Sequence, residues 1–327
     1  MNMRPVSIPR RALLSAPLLA LPAAPALAQA SLVQVGGQGW LFPIWDNVER
    51  VDLVALRTAL GTLGQAITIL REARIEVVMC LIPSRNRIMR QFLPSSVRVS
   101  PDAERRYSMT MAEVRRVGGL APDLDAKFRD TMTREPTRQL FFKTDTHWTP
   151  VGAEVAAVEI ARQMREGLRL PPSPRPGTRL GDLQQMNIAG GDLPRLLPAP
   201  QRAAYGAEPS FLRTVLAAEG AAALLEDDSH DTVVVGTSNI QPRFGFQPVL
   251  SNQLVRPVGL SWKPNNIGPY TALLDYVRSQ AFRAARPKAL VWNHLEMDML
   301  NATNNPSWGT QGLSPANYLT ELRRLVA

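Results

Sequence analysis

A chain of 327 residues with one cysteine, Cys80, cannot close an internal disulfide. Cys80 lies in a strand-like apolar run and reads as a buried, inert thiol. Histidine is almost as scarce: His147, His230 and His294 are far apart, show no helical His spacing and have no paired cysteines beside them. No zinc-type ligand set is present, and neither a metal nor a cofactor is expected. Aromatic residues make up 6% of the chain and no nucleic-acid motif occurs, so nucleic acid is not the expected partner. Acidic residues are outnumbered, 28 against 37 basic, for a net charge of +9. That balance suits an anionic polymer or membrane surface; the plainer reading is arginine used for solubility. Hydrophobic residues at 45% and charged residues at 20% exclude disorder of the whole chain. The length allows one large α/β domain or two smaller ones.

The first thirty residues hold Arg4, Arg10 and Arg11 with no acidic residue, then the apolar stretch Ala12 to Leu27 and the series Ala26-Leu27-Ala28-Gln29-Ala30. A charged segment, an apolar segment and an A-x-A cleavage site make a signal peptide over 1–30 and imply export to the periplasm. Arg10-Arg11 fits a twin-arginine or a Sec signal equally. Pro17, Pro22 and Pro25 weigh against a retained membrane anchor.

Residues 31–327 are read as one domain. Apolar spacing predicts helices over 51–73, 103–117, 122–132, 151–164, 268–285 and 315–326. Strands are predicted over Ile75 to Ile82, Arg138 to Phe142, Thr232 to Val235 and Lys288 to Trp292. Continuous apolar strands alternating with helices point to a parallel sheet. Thr149 as N-cap and Pro150 at the first helical position mark one helix start. The stretch 171–227, opened by Pro171-Pro172-Ser173-Pro174 and rich in proline, glycine and alanine, reads as an irregular insertion within the domain. There is no internal repeat.

Asp145-Thr146-His147-Trp148 falls on the loop before that capped helix, and Gly236-Thr237-Ser238-Asn239 follows an apolar strand. Loops at strand ends are where catalytic side chains collect in open α/β sheets. A serine hydroxyl becomes nucleophilic when an imidazole takes its proton and a carboxylate orients that imidazole. Asp145, His147 and Ser238 supply those three types. Asp145 and His147, two apart on extended backbone, leave the chain on the same side. Ser238 alone also reads as a helix-capping hydroxyl, and Ile240 stands where a Gly-x-Ser-x-Gly elbow would have its second glycine. Asn239, Arg243 and Asn266 are candidates for a second oxyanion donor or for sugar binding. Trp148 reads as a core residue or as a platform for a sugar ring. His230 sits in a charge run read as a solvated loop; His294, at a strand end, reads as structural or as lining the site.

Phe142-Lys143-Thr144-Asp145-Thr146-His147-Trp148-Thr149-Pro150-Val151-Gly152 closely resembles the Lys-x-Asp-x-His-Trp-x-x-x-Gly signature of the alginate O-acetyltransferase family of the AlgX and AlgJ type. Gly37-Gln38-Gly39-Trp40-Leu41-Phe42, the segment Val78 to Arg87, Gly191-Asp192-Leu193, Val235-Gly236-Thr237-Ser238 and Leu290-Val291-Trp292-Asn293 resemble further blocks of it, in order. The resemblance implies a three-layer α/β/α SGNH-hydrolase-like domain with a mostly parallel central sheet and a permuted motif order. It also implies Ser238 as nucleophile, His147 as base and acid, and Asp145 as orienting carboxylate. The implied function is acetyl transfer onto an exported polysaccharide, from a donor delivered by a membrane-bound acyltransferase, in a membrane-associated secretion complex. A polysaccharide acetylesterase and a non-catalytic polysaccharide-binding scaffold are the alternatives. Asn293 stands where the family often has glutamate, Asn239 follows the serine where small or hydroxylated residues are common, and no room for a carbohydrate-binding module after the domain is expected.

Overall fold

The computed structural model describes residues 31–188, 190–217 and 230–327. The expected signal peptide and the acidic run Glu226-Asp227-Asp228 lie outside the described residues.

The domain opens with a short antiparallel hairpin of β1 (Val33–Val35) and β2 (Leu41–Pro43). Helix α1 (Leu53–Glu72) follows, its start fixed by Asp52, whose side chain accepts from the N–H groups of Val54 and Ala55. Strand β3 (Glu76–Ile82), the short α2 (Arg85–Ile88), α3 (Pro101–Arg116), α4 (Leu124–Arg134) and α5 (Pro150–Gly167) come next. Beyond them are β4 (Leu180–Ile188), α6 (Ala199–Arg202), β5 (Glu208–Val215) and β6 (Thr232–Gly236). The chain ends with α7 (Phe246–Leu254), β7 (Gly259–Trp262), α8 (Pro269–Arg278), α9 (Gln280–Ala284), β8 (Ala289–Leu295) and α10 (Pro315–Val326).

Four strands form the central sheet in the order β3-β8-β6-β7, all parallel. Alternate side chains leave opposite faces of a strand, and each face has its own core. Val78, Cys80, Ile82, Val234 and Val291 pack with α4, α5 and α7. Val77, Met79, Leu81, Val235 and Trp292 pack with α1, α3, α8 and α10. This is the three-layer α/β/α arrangement implied by the motifs. Cys80 is fully buried, and burial pushes its thiol up to about 12, which makes it unreactive.

Three expectations change. Arg138 to Phe142 is not a strand: Phe141 makes only an isolated bridge to Trp148, and the backbone around it bonds within its own loop and to side chains. The stretch 171–227 is not irregular throughout. It carries the antiparallel pair β4 and β5, whose polar, half-exposed residues hide the alternation on which strand prediction relies. The helix expected over 268–285 breaks at Ser279, which caps α9 by accepting from Phe282 N–H.

Two close contacts frame the functional loop. Glu296, just past β8 and fully buried, accepts from Ser84 N–H at 2.7 Å and from the guanidinium groups of Arg87 and Arg106, tying the ends of β3 and β8 together. Gly152, in the first turn of α5, lies so near Leu140 that a Cβ would sit 2.2 Å from its carbonyl oxygen. Thr149 caps the same turn, accepting from Gly152 N–H at 3.1 Å and donating to the Gln139 carbonyl at 2.6 Å. A Gly152→Ala substitution is therefore expected to cost about 1–3 kcal/mol through forced backbone movement; an unchanged midpoint in chemical denaturation would refute this.

Candidate active site

Strand β6 delivers Ser238 at its carboxyl end. Gly236 closes the strand against Asn293 of β8, where a Cβ would lie 2.5 Å from that side chain. Ser238 then opens a 3-10 turn, Ser238–Ile240, whose first N–H groups have no acceptor within the turn. A second turn, Pro242–Phe244, stacks the Phe244 ring on the His147 imidazole, tilted by 27° with 5.2 Å between centroids.

The loop between residues 142 and 149 brings the other two groups. His147 Nε2 is 2.8 Å from Ser238 Oγ, and His147 Nδ1 is 2.5 Å from Asp145 Oδ1. Asp145 Oδ1 also accepts from the His147 backbone N–H at 2.9 Å. All three residues are largely buried, Ser238 being 8% exposed and Asp145 7%. Burial tends to raise the Asp145 carboxyl; the hydrogen bonds and charge of His147, with the Arg243 guanidinium, outweigh it and hold Asp145 below the ordinary carboxylate range. The carboxylate is thus ionised at neutral pH and can fix the tautomer that leaves Nε2 facing the serine.

This loop joins no sheet: Leu41 N–H of β2 reaches the Lys143 carbonyl at 2.9 Å and Leu193 N–H that of Thr144 at 3.2 Å, and side chains satisfy most of the rest of its backbone. Glu208 of β5 accepts from Lys143 N–H at 2.8 Å and Thr144 N–H at 2.7 Å, and also takes the Thr144 hydroxyl. Asp192 accepts from Thr146 N–H at 2.9 Å and from the Thr146 hydroxyl. Arg85, 4% exposed, donates to the carbonyls of Leu41, Phe142 and Lys143. Burial draws its guanidinium down to about 10, against the pull of Glu208, Asp192, Asp145 and Asp46, so it remains charged at neutral pH. Trp40 and Phe42 lie 5.0 and 5.2 Å from that guanidinium, so the Gly-Trp-Leu-Phe opening forms its aromatic enclosure. Gly191 permits the approach of Asp192: a Cβ there would fall 1.9 Å from the Thr144 carbonyl oxygen.

The remaining candidates separate. Trp148 is fully buried, stacks on Phe246 and donates from Nε1 to the Asn239 carbonyl at 2.7 Å; its face is not available to a sugar. Asn239 is 2% exposed, so its side chain is no contact surface, although its N–H belongs to the turn beside Ser238. Arg243 is exposed, lies over Phe244 and bears on Asp145. Asn266 is on an exposed turn packed near Gly309 and makes no hydrogen bond to the triad. His294 does not line the site: it is buried on the Trp292 side of the sheet, and burial lowers its imidazole to about 3. His230 lines a separate cavity of about 750 Å³ beside α7. Asp145, His147 and Asp192 offer ligand-type atoms within 4.8 Å of one another. Asp192 is already occupied by Thr146, and both imidazole nitrogens face hydrogen-bonding partners.

Glu208 and Phe244 carry no sequence signal of their own. Asp192 is marked only by the Gly-Asp-Leu resemblance, and Arg85 by its place after an apolar strand.

Fold and site together define an SGNH-hydrolase-like α/β/α domain. A family model described as "SGNH hydrolase-like domain, acetyltransferase AlgX" matches residues 33–296, and the chain belongs to this family. It is similar to the probable alginate O-acetylase AlgJ of Pseudomonas putida, 30% identical over 251 residues, covering 72% of this chain and 63% of that protein. The alginate biosynthesis protein AlgX of Pseudomonas aeruginosa is 26% identical over 251 residues, covering 72% of this chain and 52% of that protein. The chain thus spans less than two thirds of the length of these curated relatives. The solved O-acetyltransferase domain of Pseudomonas putida AlgJ superposes with a TM-score of 0.70 at 26% identity, covering 90% of this chain and 99% of that chain. Pseudomonas aeruginosa AlgX shares the fold, with a TM-score of 0.58 at 19% identity over 82% of this chain and 67% of that chain.

Two tests follow from the loop. Glu208→Ala is expected to cost roughly 2–4 kcal/mol, because several donors lose a charged acceptor, and to speed amide exchange at Lys143 and Thr144; unchanged exchange there would show that other groups hold the loop. The depressed Asp145 carboxyl adds stability that is present above its unfolded value of about 3.9 and is lost as pH falls through its lower folded value. Asp145→Asn should remove that component of acid destabilisation, and melting curves across the acid range that lose stability as steeply as wild type would contradict it.

Proposed function

We propose that this chain is an O-acetyltransferase that passes an acetyl group through Ser238 to a hydroxyl of an exported polysaccharide. The observation that carries the reading is the continuous hydrogen-bonded chain from Asp145 through His147 to Ser238 Oγ at the carboxyl end of β6.

The steps follow from the geometry. Ser238 Oγ attacks the acetyl carbonyl while His147 Nε2 takes its proton. The N–H groups of Ser238 and Asn239 at the start of the 3-10 turn are the donors available to the developing oxyanion. The bond to the leaving group breaks, His147 returns the proton to that group, and acetyl-Ser238 remains. An acceptor hydroxyl then gives its proton to His147 and attacks the acetyl carbon. Ser238 Oγ departs, recovers the proton from His147, and leaves the acetyl ester on the acceptor. Throughout, Asp145 holds Nδ1 and stabilises the imidazolium. Arg243, exposed over Phe244, supplies positive charge at the mouth of the site.

The wider assignment rests on sequence features and on family membership. The segment 1–30, read as a signal peptide, supports action in the periplasm. Similarity to proteins of alginate biosynthesis supports a polysaccharide acceptor. A donor delivered by a membrane-bound acyltransferase, within a membrane-associated assembly, supplies the acetyl group in this reading.

The experiment is release of acetate from a chromogenic acetyl ester by the purified protein, with and without an oligosaccharide acceptor. Ser238→Ala should lower turnover at least about 10³-fold, and Asp145→Asn by about 10³–10⁴-fold, the range typical of such triads. Equal turnover by wild type and Ser238→Ala would overturn the catalytic reading. Free acetate with no acetylated sugar, whatever the acceptor, would assign an esterase instead.

A further inference from the structure

The chain has six tryptophans. Trp40, Trp148, Trp292 and Trp308 are buried, while Trp45 and Trp262 are open. Trp45 follows the β1–β2 hairpin; Trp262 is the last residue of β7, at the same end of the central sheet as Ser238.

The register of the sheet places Trp262 relative to the serine. β7 pairs in parallel with β6, Val234 level with Leu260 and Gly236 level with Trp262. The Lys263 N–H then donates to the Gly236 carbonyl at 3.0 Å, so the two strands stay paired up to the turn that carries Ser238. Residues level with each other in a parallel pair point to the same face, and the face alternates along each strand. Val234 packs on the α5 and α7 side, with Leu260 against the same core; Gly236 and Trp262, two residues on, leave from that side too. Thr237 keeps extended backbone, φ −109° and ψ −162°, which carries the alternation one step further and brings Ser238 out on the face of Gly236. His147 lies on this face as well, since its neighbour Trp148 and the Phe244 ring stacked on it belong to the same core. With strands about 4.8 Å apart and a rise of about 3.3 Å per residue, the α-carbons of Trp262 and Ser238 are about 8 Å apart, a span that an indole covers. The β6 residue level with Trp262 is a glycine, so no side chain of β6 stands between the two.

Trp262 is 36% exposed. Of an aromatic side chain that offers up to about 250 Å², that leaves roughly 90 Å² open, enough for one ring face. The covered remainder holds the ring in place. Among the described residues the indole stacks on no other aromatic ring and its N–H donates to no group. On an edge strand of four residues an open aromatic is a liability that a charged side chain would avoid. Its place beside the nucleophile instead suits a ligand with a flat apolar face and an oxygen for the indole N–H. A pyranose has both, in its C–H face and in its ring and hydroxyl oxygens.

We infer that Trp262 is the platform on which a pyranose ring of the acceptor stacks, holding its hydroxyls at the acetyl group on Ser238. The inference rests on the acetyl-transfer reading and names the residue that separates transfer from hydrolysis. The ester carbon of acetyl-Ser238 is attacked by a sugar hydroxyl or by water; either gives its proton to His147 as the new C–O bond forms and the bond to Ser238 Oγ breaks. The triad serves both alike. Occupancy of the platform therefore sets the ratio of acetylated sugar to free acetate.

The test uses the full chain with a chromogenic acetyl ester as donor and, as acceptor, mannotetraose or tetramannuronate, which share the ring and differ in charge. Below saturation with acceptor, Trp262→Ala is expected to lower the ratio of acetylated sugar to free acetate about three- to tenfold, the scale of one lost aromatic contact. Trp262→Phe, which keeps a ring, should recover most of it. The fall should appear with whichever sugar is acetylated, because the ring face is held and not the charge. A ratio unmoved by Trp262→Ala, even with a lowered melting temperature, would assign Trp262 a structural role and overturn the inference; so would failure of both sugars to bind. Calorimetric titration of the Ser238→Ala protein with the same sugars separates this inference from the reading beneath it. Binding that weakens with Trp262→Ala, in a chain without Ser238-dependent turnover, would keep the platform and remove acetyl transfer. Ser238-dependent release of acetate with no sugar binding would remove the platform and leave the serine chemistry standing.

Discussion

The backbone from Phe142 to His147 must be buried beside the serine with only isolated backbone partners, Leu41 for the Lys143 carbonyl and Leu193 for that of Thr144, and much of the structure answers that constraint. A buried peptide group without a partner costs about as much as a lost hydrogen bond, and here successive groups would be left open. Three charged side chains from separate parts of the chain close most of the rest: Arg85 takes the carbonyls of Phe142 and Lys143, Glu208 the N–H groups of Lys143 and Thr144, and Asp192 that of Thr146. Each charge is offset by the others, since Glu208 and Asp192 are the leading opponents of the desolvation of Arg85. Ions so arranged are fixed more firmly than neutral hydrogen-bonding groups would be. The carboxylate and imidazole they support inherit that rigidity, as positioned catalysis requires.

The site therefore has two halves with different origins. Ser238 is presented by the parallel sheet, where β6 lies between β8 and β7. Asp145 and His147 are presented by material outside that sheet: the opening hairpin encloses Arg85, and the β4–β5 pair brings in Glu208. Trp148 joins the halves, with its ring against Phe246 and its N–H on the Asn239 carbonyl. A large aromatic in this place sets the spacing between the imidazole and the serine turn, which accounts for a tryptophan directly after the histidine. Phe244 acts from the other side, stacking on the imidazole itself.

These origins also explain what the amino-acid order disclosed. Elements that bury one face against the sheet carry periodic apolar residues, and α1, β3, α5 and α10 were legible from those alone, with Thr149 and Pro150 marking a start. The triad was legible as three residue types on two strand-end loops, and the family resemblance supplied its order. The supports were not legible, because they act through single charges at long separation: Glu208 is 64 residues from Thr144 and lies in a segment whose exposed faces have no apolar period. Arg138 to Phe142 misled for the converse reason. Its apolar residues are buried by packing around the loop without a sheet ladder, and pattern alone does not separate the two. The fate of Trp148 was likewise undecidable from composition, since an indole serves a core and a sugar equally well.

Charge acts on this protein at two ranges that need not agree. The net charge of +9 creates a field that draws anionic surfaces and polymers toward the molecule, but at physiological ionic strength it is screened beyond about 8 Å. Such a field sets how often a polymer is encountered and says little about which ring is held. At the rim of the site short-range chemistry takes over, and there Arg243 is exposed beside the triad. Overall charge therefore cannot substitute for the contacts beside Ser238 in deciding what reaches the serine.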